Sequence, residues 1–275
     1  MKVINLEYTF QPYGPGLAYE AFTFNGGEPH IRIQEPVAGA DVQVTTRIRS
    51  FQDMGLLLVA VDALRRAGVQ NLYLFLPYFP GARQDRCTQV GEALTVKIYA
   101  DLINALQFKE VQIFDPHSDV TPALLQNVKV ISNQTFAQTC LVSLSDYVLI
   151  SPDAGALKKT AALAQRLGVD YVECSKKRNT ATGQLSNVRV YADDLRGQTC
   201  VVVDDICDGG ATFLQLAEAL RQHGADSLVL IVSHGIFSRG FTELSAYYDQ
   251  IFSTDSFQTL SSDALTQVHL SPALF

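Results

Sequence analysis

Two adjacent carboxylates, Asp204 and Asp205, follow a run of β-branched residues and precede a bare, glycine-containing stretch. That stretch reads Asp208, Gly209, Gly210, Ala211 and Thr212. Glycines at the start of a helix leave backbone N–H groups open to an anion, and threonine adds a hydroxyl. Carboxylates beside a phosphate would repel it unless they hold vicinal sugar hydroxyls or a metal. An acidic surface turn could explain the Asp pair alone, but the whole string indicates a site for a phosphorylated ribose.

Alternating strands and helices must position this loop. In the second half of the chain the expected strands are 146–150, 170–173, 199–203 and 227–232, and the expected helices are 157–167 and 213–222. In the first half the expected elements are a helix capped by Ser50 and ended by Gly68, a helix at 94–106, and strands at 71–76 and 110–114. This alternation predicts parallel sheets covered by helices. Residues 1–45 are expected to form antiparallel strands, with turns at Gly14–Gly16 and Gly26–Gly27.

One internal repeat suggests two domains. The segment ALRRAGVQNLYLFLPYFPGAR, from Ala63, matches ALRQHGADSLVLIVSHGIFSR, from Ala219, in outline. Each reads as a helix end, a terminating glycine, a strand and a loop that carries an arginine. We therefore predict two similar α/β domains, at residues 1–135 and 136–275. A chance recurrence of the common helix–turn–strand unit is the alternative.

Charge, hydropathy and cysteine content limit the classes of protein to which the chain could belong. The net charge of −7 argues against a general nucleic-acid or membrane-surface binder. No run of about 18 apolar residues occurs, and the N-terminal MKVINLEYTF lacks the apolar core of a signal peptide. The five cysteines are scattered and form no CxxC pair, so reduced thiols in a cytoplasmic protein are expected rather than a metal site.

The string from Asp204 to Thr212 resembles the phosphoribosyl-pyrophosphate motif that type I phosphoribosyltransferases share with ribose-phosphate diphosphokinases. Three further segments resemble the diphosphokinases, and they are PYFPGARQDR (77–86), SPDAGALKK (151–159) and SHGIFS (233–238). The resemblance implies an α/β fold of two type I phosphoribosyltransferase-like domains, each a parallel sheet flanked by helices. The first domain would lie on the ATP side and the second on the ribose-phosphate side.

The resemblance also implies an enzyme, a diphosphotransferase with Mg²⁺ as its cofactor. It would transfer the β,γ-diphosphate of ATP to the anomeric hydroxyl of ribose 5-phosphate and release AMP. The residues implied for ATP are Arg83, Gln84 and Asp85, together with Phe24 and Glu28 of FNGGE, which would reach the adenine of a neighbouring subunit. A homo-oligomer, dimer or hexamer, is therefore expected.

The resemblance implies roles for four further residues. His117 in FDPHSD and Asp153 are implied for the metal region, and His117 also for ATP and catalysis. Lys176 and Arg178, in the basic run SKKRN, would stabilise the transition state from a mobile catalytic loop. The small, polar residues that follow this run are typical of a loop that closes over substrate and excludes water.

Four departures from the family pattern matter. The ribose-phosphate loop usually reads D-T-[AC]-G-T, but Gly209 stands in place of its first threonine, and SDVTPALLQN follows His117. Ala38 and Gly91 occupy positions of phosphate-binding regulatory arginines, and the chain ends soon after its last expected strand. The last two departures argue against allosteric control by phosphate and ADP.

The first two departures leave the acceptor open. A bare loop could bind ribose 5-phosphate through N–H groups alone. It could also admit a larger acceptor such as ADP-ribose, whose product would serve NAD salvage. A phosphoribosyltransferase, which would use no ATP, and an inactive regulatory subunit are lesser alternatives.

Overall fold

A computed structural model of the chain describes residues 1–175 and 188–275. The chain divides into two compact units. The first holds residues 1–132, 256–259 and 269–275, and the second holds residues 133–255 and 260–268. Some residues after 255 thus belong to the first unit and others to the second. The predicted division at residue 135 assigns all of them to the second domain, and it stays a prediction.

The first unit contains a fully parallel five-stranded sheet. Its strands and hairpin are, in chain order, β1 (Lys2–Asn5), β2 (Tyr19–Thr23), β3 (Pro29–Ile33), β4 (Asp41–Thr45), β5 (Asn71–Leu76), β6 (Glu110–Phe114) and β7 (Val128–Ile131). Its helices are α1 (Phe51–Arg66), α2 (Thr95–Ala105) and α3 (Val120–Leu124). The sheet order is β1-β4-β5-β6-β7, and β2 and β3 form a separate hairpin.

The expectation of antiparallel strands over residues 1–45 is wrong for β1 and β4. These strands pair in parallel, with Lys2 opposite Val42. The hairpin of β2 and β3 is antiparallel, and it lies between β1 and β4 along the chain. The chain can therefore return and run beside β1 in the same direction. The predicted turns at Gly14 and Gly27 do occur, and both glycines have positive φ, 87° and 98°.

Helix α1 shows how local sequence sets the bounds of an element. The hydroxyl of Ser50 accepts from the N–H of Asp53, and the Asp53 carboxylate accepts from the N–H of Ser50 at 2.8 Å. This capping box satisfies donors that the first helical turn leaves open. Gly68 follows the last turn in the left-handed region, with φ of 83°. The face carrying Leu57, Ala60 and Leu64 is fully buried in the core of the unit.

The second unit contains a seven-stranded sheet. Its strands are β8 (Tyr147–Ser151), β9 (Tyr171–Ser175), β10 (Arg189–Val190), β11 (Thr199–Cys207), β12 (Ser227–Gly235), β13 (Gln250–Thr254) and β14 (Thr266–Val268). Its helices are α4 (Gln134–Leu141), α5 (Leu157–Leu167), α6 (Ala211–Gln222) and α7 (Thr242–Ser245). The order is β10-β9-β8-β11-β12-β13-β14. All pairs are parallel except β9 with β10, so this sheet is mixed rather than purely parallel.

The strand order of the second unit reverses between β8 and β11. From β8 the next strand, β9, lies on one side, whereas β11 and then β12 lie on the other. Pairing of β11 with β8 ends at Val202, but pairing with β12 continues to Cys207. The end of β11 therefore projects past β8. Open α/β sheets bind ligands at the carboxyl ends of strands beside such a reversal.

The internal repeat corresponds to equivalent structure in the two units. Helix α1, Gly68 and β5 correspond to helix α6, Gly224 and β12, and Gly224 also has positive φ, 90°. Arg83 and Arg239 occupy matching positions in the loops after β5 and β12. No helix in the described residues is long and apolar enough to cross a membrane.

Candidate active site

The acid pair of the second unit lies inside a strand rather than after it. We predicted that the strand ends at Val203, but β11 continues to Cys207 through its pairing with β12. Asp205 is buried, and Asp204 keeps part of its surface exposed. The N–H of Asp205 donates to the Asp204 carboxylate at 2.9 Å. Both carboxylates thus stand on the projecting end of β11, at the reversal of strand order.

Crowding raises the pKa of Asp204 well above its ordinary value. Burial is the largest cause, followed by the negative charge of Asp205 and a hydrogen bond between the two carboxyl groups. The charge of Asp153 acts in the same direction. Placing two ionised carboxylates side by side is therefore unfavourable in the free protein. A ligand that offers cationic charge or hydroxyl donors would relieve this repulsion.

Asp153 follows β8, the strand next to β11. Its Oδ1 atom accepts from the N–H groups of Gly155 at 2.9 Å and Ala156 at 3.1 Å. The Ser151 hydroxyl donates to the Asp153 carbonyl at 3.0 Å. These bonds fix the turn, so that Asp153 and the acid pair carry negative charge at the same edge of the sheet.

The glycine loop enters helix α6 directly. Gly210 is the N-cap, has φ of 78° and provides no side chain to cap the helix. The first turn carries no acidic residue. Within the described residues the Thr212 hydroxyl makes no hydrogen bond, so it and the first N–H groups are available to an anion. The Asp208 carboxylate accepts from the Ser238 hydroxyl at 2.7 Å, which ties the loop to the one after β12.

In the first unit four of the predicted ATP residues lie on two loops, one after β5 and one after β6. Asp85, after β5, is buried, whereas Arg83 and Gln84 on the same loop are exposed. His117, after β6, is also exposed. Asp85 accepts from Arg86 Nε at 3.1 Å and from Ser118. The buried carboxylate therefore holds the two loops together and leaves the other predicted residues accessible.

The pKa of Asp85 lies below its ordinary value although burial alone would raise it. The hydrogen bonds from Ser118 and Arg86 lower it, and the charges of Arg86 and His117 add to this effect. Asp85 is therefore an anion that attracts cationic groups to this edge of the sheet.

Two residues that shape this edge of the first unit, Ser118 and Asp115, were not among the predicted site residues. Asp115 has φ of 38°, an uncommon value for a residue with a side chain, and its N–H donates to Ile131 at 2.8 Å. It turns the chain sharply from β6 into the His117 loop. The signal for Ser118 was its place directly after His117, while nothing in the residue types indicated the turn at Asp115.

Phe24 and Glu28 lie at the turn of the hairpin formed by β2 and β3. Phe24 is 53% exposed and Phe22 is 44% exposed, and their ring centroids lie 4.9 Å apart. His30 completes an exposed group of three rings, 5.1 Å from Phe22 and 5.8 Å from Phe24. The Glu28 carboxylate lies over Gly26, whose Cβ, if present, would be 2.5 Å from it. The turn thus presents aromatic surface and a carboxylate to solvent.

Lys176 and Arg178 lie outside the described residues, between β9 and β10. Their predicted role in catalysis therefore stays a prediction.

The donor atoms are compatible with magnesium held mainly by substrate. In residues 1–175 and 188–275 no three His, Cys, Asp or Glu side chains converge to hold a metal ion. Magnesium keeps several waters and often takes one or two protein carboxylates together with substrate phosphates. The excess negative charge around Asp153 and Asp204 suits such a partner, so the carboxylates at this edge fit the predicted cofactor.

Two family models match the chain. The N-terminal domain of ribose phosphate pyrophosphokinase matches residues 15–106, and the phosphoribosyl transferase domain matches residues 119–258. A ribose-phosphate pyrophosphokinase of Hyphomonas neptunium is 31% identical over 270 residues, which are 93% of this chain and 85% of the relative. One from Pyrococcus furiosus is 30% identical over 261 residues, 93% of this chain and 91% of the relative.

A solved structure agrees with these matches. The phosphoribosylpyrophosphate synthetase of Mycobacterium smegmatis superposes with a TM-score of 0.83 at 25% identity, over 94% of this chain and 87% of its own. The predicted two-domain α/β fold and the predicted enzyme class, a diphosphotransferase, are confirmed. The chain belongs to the ribose-phosphate pyrophosphokinase family.

Proposed function

We propose that the chain transfers the β,γ-diphosphate of ATP to the anomeric hydroxyl of ribose 5-phosphate, giving phosphoribosyl pyrophosphate and AMP. The observation that carries the proposal is the pair of carboxylates, Asp204 and Asp205, on the projecting end of β11 beside the glycine-lined start of helix α6. Carboxylates repel a phosphate but accept from sugar hydroxyls, so the two features suit opposite ends of one ribose phosphate.

On the acceptor side, Asp204 and Asp205 accept from the vicinal ribose hydroxyls. The N–H groups of Gly209, Gly210, Ala211 and Thr212 hold the phosphate, and Asp208 shapes the loop through Ser238. Hydroxyl donors stabilise the ionised carboxylates, and binding of the sugar therefore offsets the repulsion that raises the pKa of Asp204 in the free protein.

On the donor side, Arg83 and Gln84 contact ATP, and Asp85 holds their loop against that of His117. An arginine suits this task because its planar fork can bond two phosphate oxygens at once. Phe24 and Glu28 contact the adenine bound by a neighbouring subunit, which requires a homo-oligomer, dimer or hexamer. The exposed rings of the hairpin support this assignment.

In the reaction, the anomeric oxygen forms a bond to the β-phosphorus, and the bond from that phosphorus to the α,β-bridging oxygen breaks. The electron pair leaves with AMP, and the hydroxyl proton passes to solvent. Mg²⁺, when bound, neutralises charge on the triphosphate, and His117 and Asp153 are the residues proposed to hold it, directly or through water. The loose transition state of phosphoryl transfer makes placement and charge stabilisation the main contributions of the protein.

Lys176 and Arg178 are proposed to stabilise the charge that develops on the migrating group. Lys176→Ala should lower kcat by about 100-fold and leave the KM values nearly unchanged, as expected for an interaction made in the transition state. Steady-state kinetics in both substrates would test this, and an unchanged kcat would remove the residue from the mechanism.

The proposed reaction is tested by AMP release from ATP, with the purified chain, magnesium and ribose 5-phosphate. Asp204→Asn serves as the low-activity comparison. AMP should form only when a ribosyl acceptor is present. If no AMP forms with any ribosyl acceptor, the proposal fails, and product formed from the activated sugar and a base without ATP would favour a phosphoribosyltransferase.

Transfer to ADP-ribose is a second candidate, and it would serve NAD salvage. The observation that favours it is Gly209, which lacks the side-chain volume of the threonine that usually stands at this position of the phosphate loop. Ribose 5-phosphate and ADP-ribose assayed side by side would decide, because the acceptor with the higher kcat/KM is the better substrate.

We also propose that the enzyme works in the cytoplasm. The five cysteines are all free thiols, as expected in a reducing compartment.

A further inference from the structure

We infer that Arg239, whose side chain lies beside Gly209, binds the 5′-phosphoryl group of the acceptor. The inference rests on the proposed function, because it names a contact within the same acceptor site. The observation that points to it is the close approach of the Arg239 side chain to Gly209.

The Arg239 side chain covers Gly209 at ordinary van der Waals distance. A Cβ atom built on Gly209 would lie 3.4 Å from Arg239 Nε, 3.6 Å from Cδ and 3.8 Å from Cγ. The backbone of Gly209 is outside the left-handed region, in contrast to Gly210 with φ of 78°. Any residue could therefore adopt this backbone, but a larger side chain would displace the arginine. The start of the guanidinium, Nε, thus lies beside the phosphate loop.

Arg239 is a cation with no ion-pair partner in residues 1–175 and 188–275. Its side chain is exposed, and no carboxylate of the described residues pairs with it. The nearby carboxylate of Asp208 accepts from Ser238 instead, at 2.7 Å. In a chain of net charge −7, an unpaired arginine beside exposed N–H groups provides the positive charge that a phosphate needs.

The loop that carries Arg239 is fixed to the end of β11. The N–H groups of Ile236 and Phe237 donate to the Cys207 carbonyl at 2.9 and 3.1 Å, and that of Ser238 donates to Asp208 at 3.2 Å. These bonds link the loop directly to the residues that open the phosphate loop. The position of Arg239 is therefore set by rigid strand ends.

The residue before Ser238 and Arg239, Phe237, has an uncommon backbone conformation. Its φ is 47°, and its ring packs against Phe241 with centroids 4.7 Å apart. Gly235 has no room for a Cβ atom, which would lie 2.2 Å from the Phe237 ring. A backbone held in a sparsely populated region by surrounding contacts is a common feature of functional sites.

The internal repeat gives independent support. Arg239 matches Arg83, and both follow equivalent strands that are each preceded by a glycine-ended helix. Arg83 is the residue proposed to contact the phosphates of ATP. The same position in the second unit thus also carries an exposed arginine at the carboxyl edge of its sheet.

The expected ligand group is a phosphoryl group on the 5′ oxygen of ribose. The monoester of ribose 5-phosphate and the diphosphate of ADP-ribose share this chemistry. Both would be held by the N–H groups at the start of α6, the Thr212 hydroxyl and the Arg239 guanidinium.

The test is calorimetric binding of ribose 5-phosphate and of ADP-ribose to the wild-type chain and to Arg239→Gln. The variant should bind the acceptor about 10- to 100-fold more weakly, as expected for a lost charge-assisted contact, with the KM for ATP unchanged. Arg239→Lys should retain most of the affinity, because the charge remains. Arg196→Gln, an exposed arginine ahead of the opposite end of β11, is the matched control and should bind normally.

The results separate the two proposals. Equal acceptor affinity in the wild type and Arg239→Gln would overturn the role of Arg239 and leave the proposed function intact. A wild type that binds neither acceptor would overturn both. The acceptor whose affinity falls more in Arg239→Gln identifies which phosphoryl group the arginine holds.

Discussion

The two units repeat one helix–glycine–strand plan but differ in how the carboxylates at the carboxyl edges of their sheets are paired. In the first unit the carboxylate of Asp85 is buried and stays ionised through Ser118 and Arg86, while Arg83 and His117 are exposed. In the second unit burial and the neighbouring Asp205 raise the pKa of Asp204. The fold therefore supplies the position of a site, whereas the loop residues decide what the site binds.

The two sheets also differ in strand order. In the first, β4 to β7 follow one another across the sheet without a reversal. In the second, the order reverses between β8 and β11, and the end of β11 projects past β8. The acids of the second unit therefore stand on a strand end at the reversal of strand order, whereas the polar residues of the first unit are carried by loops.

The largest expected effect is on the acid pair. Asp204→Asn should lower kcat/KM for the acceptor by about 100-fold, because an ionised acceptor of sugar hydroxyl bonds is lost. AMP release measured over a range of acceptor concentrations checks this. Asp226→Asn, an exposed acid ahead of β12, is the control and should keep wild-type activity. Wild-type kinetics in Asp204→Asn would show that the two edges do not differ in function as proposed.

The phosphate loop offers a test of backbone geometry. Gly210→Ala should lower the free energy of unfolding by about 1–2 kcal/mol, because alanine is strained in the left-handed region. Its Cβ would also lie 3.2 Å from Leu244. Gly209→Ala is the neighbouring control and should change the free energy by less than about 0.5 kcal/mol, since it would meet only the flexible Arg239 side chain. Denaturant unfolding of both variants measures the difference, and equal losses would contradict it.

The first unit can be tested through its buried carboxylate. Asp85→Asn should lower kcat/KM for ATP by about tenfold, because the bonds that join the Arg83 and His117 loops lose a charged partner. The KM for the acceptor should stay unchanged. Asp62→Asn, which lies on the surface of α1, is the control. An equal effect on both substrates would mean that Asp85 acts through global stability instead.

The smallest expected effect concerns stability against pH. The pKa of Asp204 is raised in the folded chain, so the folded state holds more protons than the unfolded state above the ordinary carboxyl pKa of 3.8. Stability from this group is therefore lost as the pH rises from that value through the raised pKa. Asp204→Asn should lack this loss and have a higher Tm than the wild type at neutral pH. Thermal unfolding at several pH values measures it, and a lower Tm for the variant would contradict the assigned repulsion.

Much of the fold follows from local sequence. Strands β5 and β6 and helix α5 have the predicted bounds, because a glycine, a turn or a polar residue ends each apolar pattern. The bounds of β11 were missed because Asp204 interrupts the apolar run, while pairing with β12 continues. The parallel pairing of β1 with β4 was not predicted, because the alternation of apolar and polar residues along one strand does not reveal which strand lies beside it.

The part of the candidate site that could be predicted is the part whose residue types and spacing indicate a ligand. The run from Asp204 to Thr212 combines acids, glycines and a hydroxyl. In the structure it spans the end of β11 and the start of α6. Asp115 and Arg239 could not be found in this way, because their importance comes from a backbone angle and from a contact across the fold.

The central claim is that a diphosphate passes from ATP to the anomeric oxygen of a ribose 5-phosphate group. Phosphorus NMR of a mixture of ATP, magnesium, ribose 5-phosphate and the enzyme tests it most directly. We predict equal amounts of AMP and of a sugar carrying a new diphosphate, which couples to its anomeric proton, with no ADP. Formation of ADP, or an unchanged ATP spectrum with both ribose 5-phosphate and ADP-ribose, would contradict the claim.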